Sequence, residues 1–363
     1  MLTRAIPDRG RRMAARPLLG AALVPLAILL VSGLGYAAFP DDLAFLTHLI
    51  AISLLVLSLD LVTGYCGIAT LGQAALFGVG AYAAGNACLG GLTDPVLLLL
   101  VGAAAGGAAG LASGAVVTRF RGLPQLVQSI AIGQLAAALA NKLASWTGGS
   151  DGLAGIEPGP VLGLAAFDIY SRTAYVLAVA VLVLVVIGLT ILVRSPFGAT
   201  CRAIRDDDLR ARMIGIAVYP RLVVMYGIAG AVAGIGGALT AITTGVVGLD
   251  SIGFERSAQA LVMLTLGGAG TLWGALVGAF LFQVVEHFVA AYNPFHWITA
   301  VGAFLVLIVV LMPRGLASGL PEMVRSFRSS EVRSSGSWLS STSLRLPRPF
   351  GSFKSSRLPG RQP

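Results

Sequence analysis

The chain is poor in the residues on which most enzyme chemistry depends. Among its 363 residues are three histidines, three cysteines and only two lysines, Lys142 and Lys354. Neither lysine lies in the GxxxxGK[ST] pattern that holds nucleotide phosphates, and neither an HExxH pattern nor metal-binding cysteine pairs occur. We therefore expect a protein that is not an enzyme, with no catalytic residue, no metal site and no cofactor bound by this chain.

Charge is scarce as well, and this determines the class of protein. Only 11% of the residues are charged, whereas 56% are hydrophobic, and apolar runs of about 20 residues recur along the chain. The lipid core offers backbone groups no water, so such runs form helices. The alternation typical of short barrel strands is absent. The composition predicts an all-α, polytopic integral membrane protein.

About ten apolar segments are long enough to be transmembrane helices. We predict spans at roughly 18–38, 43–63, 71–89, 95–118, 123–141, 173–193, 222–244, 257–273, 275–291 and 297–312. The segment 18–38 is too long for the apolar part of a secretory signal peptide, and we interpret it as the first span. Two Gly-rich regions, near 64–90 and 257–291, could instead be broken or re-entrant.

Basic residues predict the orientation in the membrane. All but three of the 25 lie in four places: residues 1–17, Arg119 and Arg121, the segment 194–221, and the tail after Pro313. Ten spans place these four regions on one side, which the positive-inside rule identifies as cytoplasmic. We therefore expect both termini in the cytoplasm. The net charge of +9 reflects topology and attraction to anionic lipid, and it does not indicate nucleic-acid binding.

The chain divides into three parts. A basic cytoplasmic N-terminus, 1–17, precedes a transmembrane domain, 18–316, and a tail, 317–363, follows it. The tail is rich in Ser, Arg and Pro and has no periodic apolar face, so we expect it to be disordered. Two interpretations of the tail remain open, a basic tether to the membrane surface and a dispensable extension.

Residues 194–221, which we call the charged loop, stand between two uncharged runs. They carry six arginines and three consecutive aspartates, Asp206 to Asp208. If the segment is one short helix, Asp206–Arg210 and Asp208–Arg212 are favourably ordered ion pairs, and Gly215 ends it. The loop is either a solvated helix held by its own ion pairs or a docking element for a soluble partner.

Polar side chains within the apolar regions are the candidates for a transport path. Glycines at short intervals let helices pack closely or unwind, and unwound segments accompany transport routes. We predict that Thr70 and Gln73, in the first Gly-rich region, line a passage, although tight packing alone would also explain the glycines. Glu286, with His287 beside it, is a candidate for a proton relay, and Asp60 either serves such a relay or caps or pairs locally.

Four blocks of sequence together carry a resemblance to a known family. They are GYCGIATLGQAALFGVGAY (64–82), TGGSDGLAGI (147–156), RSPFGATCRAIRDDDLRARMIGI (194–216) and LTLGGAGTLWGALVGA (264–279). In this order and spacing they resemble the M-type permease subunit of branched-chain amino-acid ABC importers. The resemblance extends over about residues 45–320.

The resemblance implies a function and a set of partners. Such a subunit sits in the lipid bilayer of the bacterial inner membrane and pairs with an H-type second permease. Two ATP-binding subunits hydrolyse the ATP, and a periplasmic binding protein delivers a branched-chain amino acid or a similar small polar solute. A coupling loop, 202–215 here, docks the ATPase. The residues to which the resemblance assigns this docking role are Arg202, Arg205, Asp206, Asp207, Asp208 and Gly215.

The resemblance also implies a role for a loop on the opposite side of the membrane. The loop 141–172 carries TGGSDGLAGI and would face the binding protein, with Asp151 as a contact, although a turn role would also explain the motif.

The alternative function is a gradient-driven secondary transporter. It would need central intramembrane carboxylates, and only Asp60 and Glu286 are candidates. A permease of the related sugar-importer group is a closer rival, which TGGSDGL disfavours.

Overall fold

The apolar runs of the sequence form helices with short connections. The structure, a computed structural model, describes residues 28–36, 42–161, 172–292 and 302. Most of the predicted first span lies outside these residues, as does the predicted last span apart from residue 302. The N-terminus 1–17 and the tail 317–363 also lie outside them. The described residues belong to one unit, 1–319.

Twelve helices are described, and the longer ones overlap the predicted spans. In chain order they are α1 (28–36), α2 (Leu43–Leu59), α3 (Gln73–Leu89), α4 (Pro95–Val117), α5 (Leu123–Lys142), α6 (Ala144–Thr147), α7 (Arg172–Arg194), α8 (Pro196–Asp206), α9 (Asp208–Met213), α10 (Val218–Thr244), α11 (Phe254–Gly267) and α12 (Leu272–Tyr292). This confirms the prediction of an all-α polytopic membrane protein.

Six of the described helices are long and apolar enough to cross a membrane. They are α2 with the π-helical turn that continues it, α4, α5, α7, α10 and α12. Helices α3 and α11 have only 17 and 14 residues. A helix rises about 1.5 Å per residue, so α11 is too short to cross the hydrocarbon core. The predicted span 257–273 is therefore a shorter helix that ends at Gly267.

Both Gly-rich regions are interrupted, as the sequence suggested. The first interruption, 66–72, separates the π-helical turn Asp60–Tyr65 from α3, and the second, 268–271, separates α11 from α12. Gly67 and Gly270 have φ of 70° and 86°, a left-handed conformation that favours glycine. The interruptions therefore have a backbone cause in the sequence.

Helices α4 and α10 cross at backbone distance. Glycines recur every four residues along α4 and face a similar row on α10. A Cβ added to Gly106 would meet the carbonyl oxygen of Gly230, and one added to Gly234 would meet that of Gly102. Small residues let two membrane helices approach to backbone contact. These glycines are explained by packing.

Helix α2 lies at the centre of the described bundle. It packs against α7, α10 and α12, and every residue from Leu49 to Leu59 is buried. The neighbouring α11 and α12 form a tight hairpin, because Gly267 and Gly278 leave no room for side chains between them. Both interruptions are thus attached to closely packed helices.

A two-stranded sheet closes the end of the bundle away from the interruptions. Strand β1, Leu153–Ala154, pairs antiparallel with β2, Val246–Val247, and Leu153 lies opposite Val247. The sheet attaches the TGGSDGLAGI segment to the end of α10. An added Cβ on Gly85 of α3 would meet Leu153 and Ile156, so the segment also packs on α3.

Candidate functional site

The charged loop folds as two short helices, and our expectation of one helix is wrong. Ser195 begins α8 by accepting a hydrogen bond from the Gly198 N–H at 3.3 Å. Asp207 is extended, with φ of −159°, and its carboxylate caps α9 by accepting from the Arg210 N–H at 3.0 Å. Because an aspartate side chain competes for backbone donors, it starts a new helix here.

The break at Asp207 changes the ion pairs. Arg212 pairs with Asp208 at 3.1 Å, as predicted. The predicted Asp206–Arg210 pair is absent, because the extended residue destroys the helical spacing. Arg205 lies 3.2 Å from Asp206 and Arg210 lies 3.5 Å from Asp207. Such exposed pairs contribute at most about 1 kcal/mol each, so they do not by themselves hold the loop.

Gly215 ends α9, as predicted. Its φ is 82°, and its N–H donates to the carbonyl of Arg212 at 3.0 Å. The next residue, Ile216, donates to the Ala211 carbonyl at 3.1 Å. A left-handed glycine followed by such a closing bond is the usual helix C-cap. A Cβ here would meet no atom, so backbone conformation alone demands glycine.

Arg205 connects the charged loop to the first interruption. Its Nη1 donates to the Gly64 carbonyl at 2.6 Å, while Nε and Nη2 contact the Asp206 carboxylate. The alkyl part lies against Gly67, where an added Cβ would be 2.7 Å from Arg205 Cγ. Arg205 therefore points inward from α8, unlike Asp206, whose side chain is 69% exposed.

Asp60 connects the π-helical turn before the first interruption to the second interruption. It begins the π-helical turn after α2 and is fully buried. Its Oδ1 accepts a hydrogen bond from the Gly270 N–H at 2.6 Å, and its Oδ2 has no partner among the described residues. Asp60 thus neither caps its own helix nor pairs locally, because its partner is 210 residues away. A proton-relay role for Asp60 stays a prediction.

Hydroxyl groups from other helices hold the first interruption. The Leu71 N–H donates to Ser129 of α5 at 3.0 Å, and the Ala74 N–H donates to Ser257 of α11 at 3.1 Å. Backbone groups freed by a broken helix require such partners in a low-dielectric environment. The interruption is a defined structure bonded on several sides.

Thr70 and Gln73, the predicted path residues, are both buried. Thr70 Oγ1 lies 3.0 Å from the Tyr226 hydroxyl of α10. Gln73 Nε2 donates to the Ser58 carbonyl at 3.4 Å, and its Oε1 has no partner among the described residues. In this conformation both side chains lie inside the helix bundle beside the first interruption. Lining of a passage stays a prediction.

An exposed apolar patch on the charged loop was missed by our sequence reasoning. Leu209, Met213 and Ile214 are 66%, 78% and 71% exposed. We call these three residues the apolar patch. The spacing of four residues between Leu209 and Met213 was the available signal, because it places these two on one face of a short helix, and Ile214 follows at its end. Arg121, from the connection before α5, pairs with Asp208 beside them at 3.5 Å.

Two buried cysteines join α8 to the first interruption. Cys66 and Cys201 are both fully buried, and their thiols lie close enough to interact. The interaction with Cys201 and burial raise the pKa of the Cys66 thiol, while the interaction with Cys66 lowers the pKa of Cys201. This pair is a second contact, beside that of Arg205, between the same two segments.

Asp151 lies at the other end of the bundle, on an exposed turn. Four glycines of its motif have positive φ, namely Gly148, Gly149, Gly152 and Gly155. Asp151 contacts only the neighbouring Ser150 hydroxyl, at 3.3 Å, among the described residues. The turn explains the glycines, and contact between Asp151 and a binding protein stays a prediction.

Taken together, the apolar helices and the interrupted segments define a polytopic membrane transport protein. The sequence pattern of the family described as "Branched-chain amino acid transport system / permease component" matches residues 43–311. The chain belongs to this family. It is thus a multi-pass inner-membrane permease, and membership favours an ATP-driven importer over a gradient-driven transporter.

Individual relatives agree with this membership. The chain is 28% identical to the high-affinity branched-chain amino acid transport system permease protein LivM of Escherichia coli, covering 76% of this chain and 69% of LivM. It is 32% identical to LivH of Salmonella typhimurium, over 39% of this chain and 46% of LivH. It is 29% identical to the autoinducer 2 import system permease protein LsrC of an Enterobacter, over 70% and 74% of the two chains. No solved structure matches.

Proposed function

We propose that this chain forms, with a second permease, the membrane passage of an ATP-driven importer for branched-chain amino acids or a similar small polar solute. The observation that carries the proposal is the contact of the charged loop with an interrupted segment inside the bundle. A loop that only connected α7 to α10 would not need to bind a backbone carbonyl of that segment. The family match supplies the transport class.

The partners follow from the relatives and from what the chain lacks. LivM and LivH are named as permeases of the same transport system, and similarity to both supports pairing with an H-type paralogue. The chain has no nucleotide-binding lysine motif. Two ATP-binding subunits would therefore use the ATP, and a periplasmic binding protein would deliver the solute. The N- and C-termini would be cytoplasmic, on the side of the charged loop.

The apolar patch is the proposed centre of the docking surface for an ATP-binding subunit. Exposed apolar side chains in a charged, water-facing loop are unfavourable unless a partner covers them. Asp206, Asp207 and Asp208 directly precede the patch in sequence, and with Arg202 of α8 they would act at the polar rim, which governs association rate and specificity. Leu209 and Met213 would supply most of the binding energy.

Affinity purification of the tagged chain from its native membranes tests the proposal. We expect an ATP-binding subunit and a second permease in comparable amounts. Leu209→Asp and Met213→Asp should each reduce the recovered ATP-binding subunit about ten-fold, as for the loss of an interface hot spot. The second permease should be retained.

Conservative variants provide the matched control. Leu209→Met and Met213→Leu keep an apolar side chain of similar volume and should retain the ATP-binding subunit. A chain that purifies alone, even after gentle cross-linking, would contradict the importer assignment. Full recovery of the ATP-binding subunit with both aspartate variants would contradict the docking role of the apolar patch.

A further inference from the structure

Three segments that are far apart in sequence meet at Arg205 and Asp60. Arg205 comes from the charged loop, Gly64 stands just before the first interruption, and Gly270 belongs to the second. Arg205 binds the Gly64 carbonyl at 2.6 Å, and Asp60 binds the Gly270 N–H at the same distance. Both bonds are short and involve a charged group, which makes them stronger than neutral hydrogen bonds.

The atoms around these two hydrogen bonds are packed without free space. A Cβ added to Gly64 would overlap Asp60 Oδ1 and the Gly270 nitrogen. One added to Gly270 would lie 3.2 Å from Arg205 Nη1. Two glycines therefore admit the carboxylate and the guanidinium to the same small volume. Because the backbones and both charged groups are in direct contact, none can shift far without displacing the others.

We propose that Asp60 and Arg205 form a tie that makes α8 and both interruptions move as one body. Asp60 is thereby a positioning residue for transport, although it touches neither partner nor solute. The proposal rests on the proposed docking role of the charged loop. A push on α8 would pass through Arg205 to Gly64, and through Asp60 to Gly270, where α12 begins.

The tie explains why a carboxylate is placed in a buried position. Burial of a carboxylate with one oxygen unpartnered is costly, and such groups persist where they have a function. The Asp60 carboxylate does not stabilise the end of α2, because it accepts its hydrogen bond from Gly270 in the second interruption. The carboxylate serves the connection between the two interruptions.

The first test uses the purified chain alone in detergent and does not depend on any partner. Hydrogen exchange of backbone amides is followed in peptides that cover 64–72 and 266–272. Asp60→Leu, which keeps the shape but removes the acceptor, should accelerate exchange in both. Arg205→Met should do the same. Arg210→Met, at an exposed arginine of α9, should leave both peptides unchanged. Acceleration confined to the segment nearest the mutation would overturn the tie.

The second test uses the complete transporter in proteoliposomes and measures solute transported per ATP hydrolysed. For Asp60→Leu we expect ATP hydrolysis and partner recovery to persist, with the ratio lowered about ten-fold, within the usual range of coupling between sites. Asp60→Asn keeps an acceptor for the Gly270 N–H and should restore most of the ratio. A structural defect alone would lower ATP hydrolysis and partner recovery together.

The outcomes separate this inference from the proposed function. An unchanged ratio in Asp60→Leu, or an equal loss in Asp60→Asn, would overturn the positioning role while leaving the importer assignment intact. If the Asp60→Leu chain does not assemble with its partners, the transport ratio of Asp60→Asn and the hydrogen-exchange measurements test the positioning role. Failure of the wild-type chain to recover an ATP-binding subunit would instead contradict the proposed function.

Discussion

The hydroxyl of Thr70 lies 3.0 Å from the hydroxyl of Tyr226, across 156 residues of sequence. Thr70 belongs to the first interruption, and Tyr226 is a fully buried residue of α10. The Gly72 N–H also donates to the Thr70 oxygen, at 3.2 Å. One threonine therefore stabilises the irregular backbone and attaches it to the helix that packs most extensively in the bundle.

Removing the tyrosine hydroxyl tests this attachment. Tyr226→Phe leaves Thr70 without one buried partner, and it should destabilise the protein by about 1 kcal/mol. Thr70→Val should cost more, because Gly72 then loses its acceptor. The double variant should cost less than the sum of the two, as expected for residues in contact. Unfolding in mixed detergent gives all three values, and strict additivity would contradict the contact.

The close packing of α4 and α10 predicts that alanine at Gly230 destabilises the protein, whereas alanine at Gly188, outside this crossing, does not. A Cβ on Gly230 would lie 2.9 Å from Gly110 Cα and closer still to the Gly106 carbonyl, whereas Gly188 of α7 has nothing within 4 Å. Gly230→Ala should cost about 1–3 kcal/mol through overpacking. Gly188→Ala should be neutral or stabilising by up to about 1 kcal/mol.

Thermal unfolding of both variants in the same detergent compares them directly. The chemical change is identical and both sites are helical, so the difference reports the local packing alone. Equal melting temperatures for the two variants would mean that α4 and α10 do not pack at backbone distance.

Much of the fold could be predicted because membrane helices are local features of the sequence. Twenty apolar residues must form a helix in lipid whatever surrounds them, so the bounds of α4, α5 and α7 follow closely from composition. The lengths of α3 and α11 did not follow as well. Where a Gly-rich run stops being helical depends on partners such as Ser129 and Ser257, which come from distant segments.

The site was less predictable, for the same reason. The charged loop was recognisable from its charge, yet Arg205 and Asp206 are adjacent and point to different surroundings. Which of them turns inward depends on the Gly64 carbonyl, which no local pattern reveals. Likewise, the partner of Asp60 is 210 residues away. The docking role of the charged loop stays a prediction.

The buried thiols offer a test of where α8 lies. Because the Cys66 and Cys201 thiols are buried close to each other, a membrane-permeant copper–phenanthroline oxidant should join them in a disulfide, with the oxidant accepting the two electrons. The linked peptides would be identified by mass spectrometry before and after reduction. Cys66→Ser should abolish the product, and Cys88→Ser should not. Its absence from the oxidised wild-type chain would contradict the placement of α8.

The turn around Asp151 separates a structural residue from a candidate contact. Gly148 has φ of 73°, and a Cβ there would overlap the Gly152 carbonyl, so Gly148→Ala should distort the turn and lower the melting temperature. Asp151 is exposed, so Asp151→Lys should leave stability unchanged, within about 0.5 kcal/mol. If Asp151 contacts the binding protein, Asp151→Lys should slow the association of that protein with the transporter.

Association of the binding protein with the transporter in nanodiscs measures this effect. The decrease should be largest at low ionic strength and should shrink at high salt, because screening removes a rim charge contribution. Ser150→Ala, at the neighbouring residue, should leave the association rate unchanged. Equal rates for Asp151→Lys and the wild type at low salt would exclude the contact, and the TGGSDGLAGI motif would then be explained by its left-handed glycines alone.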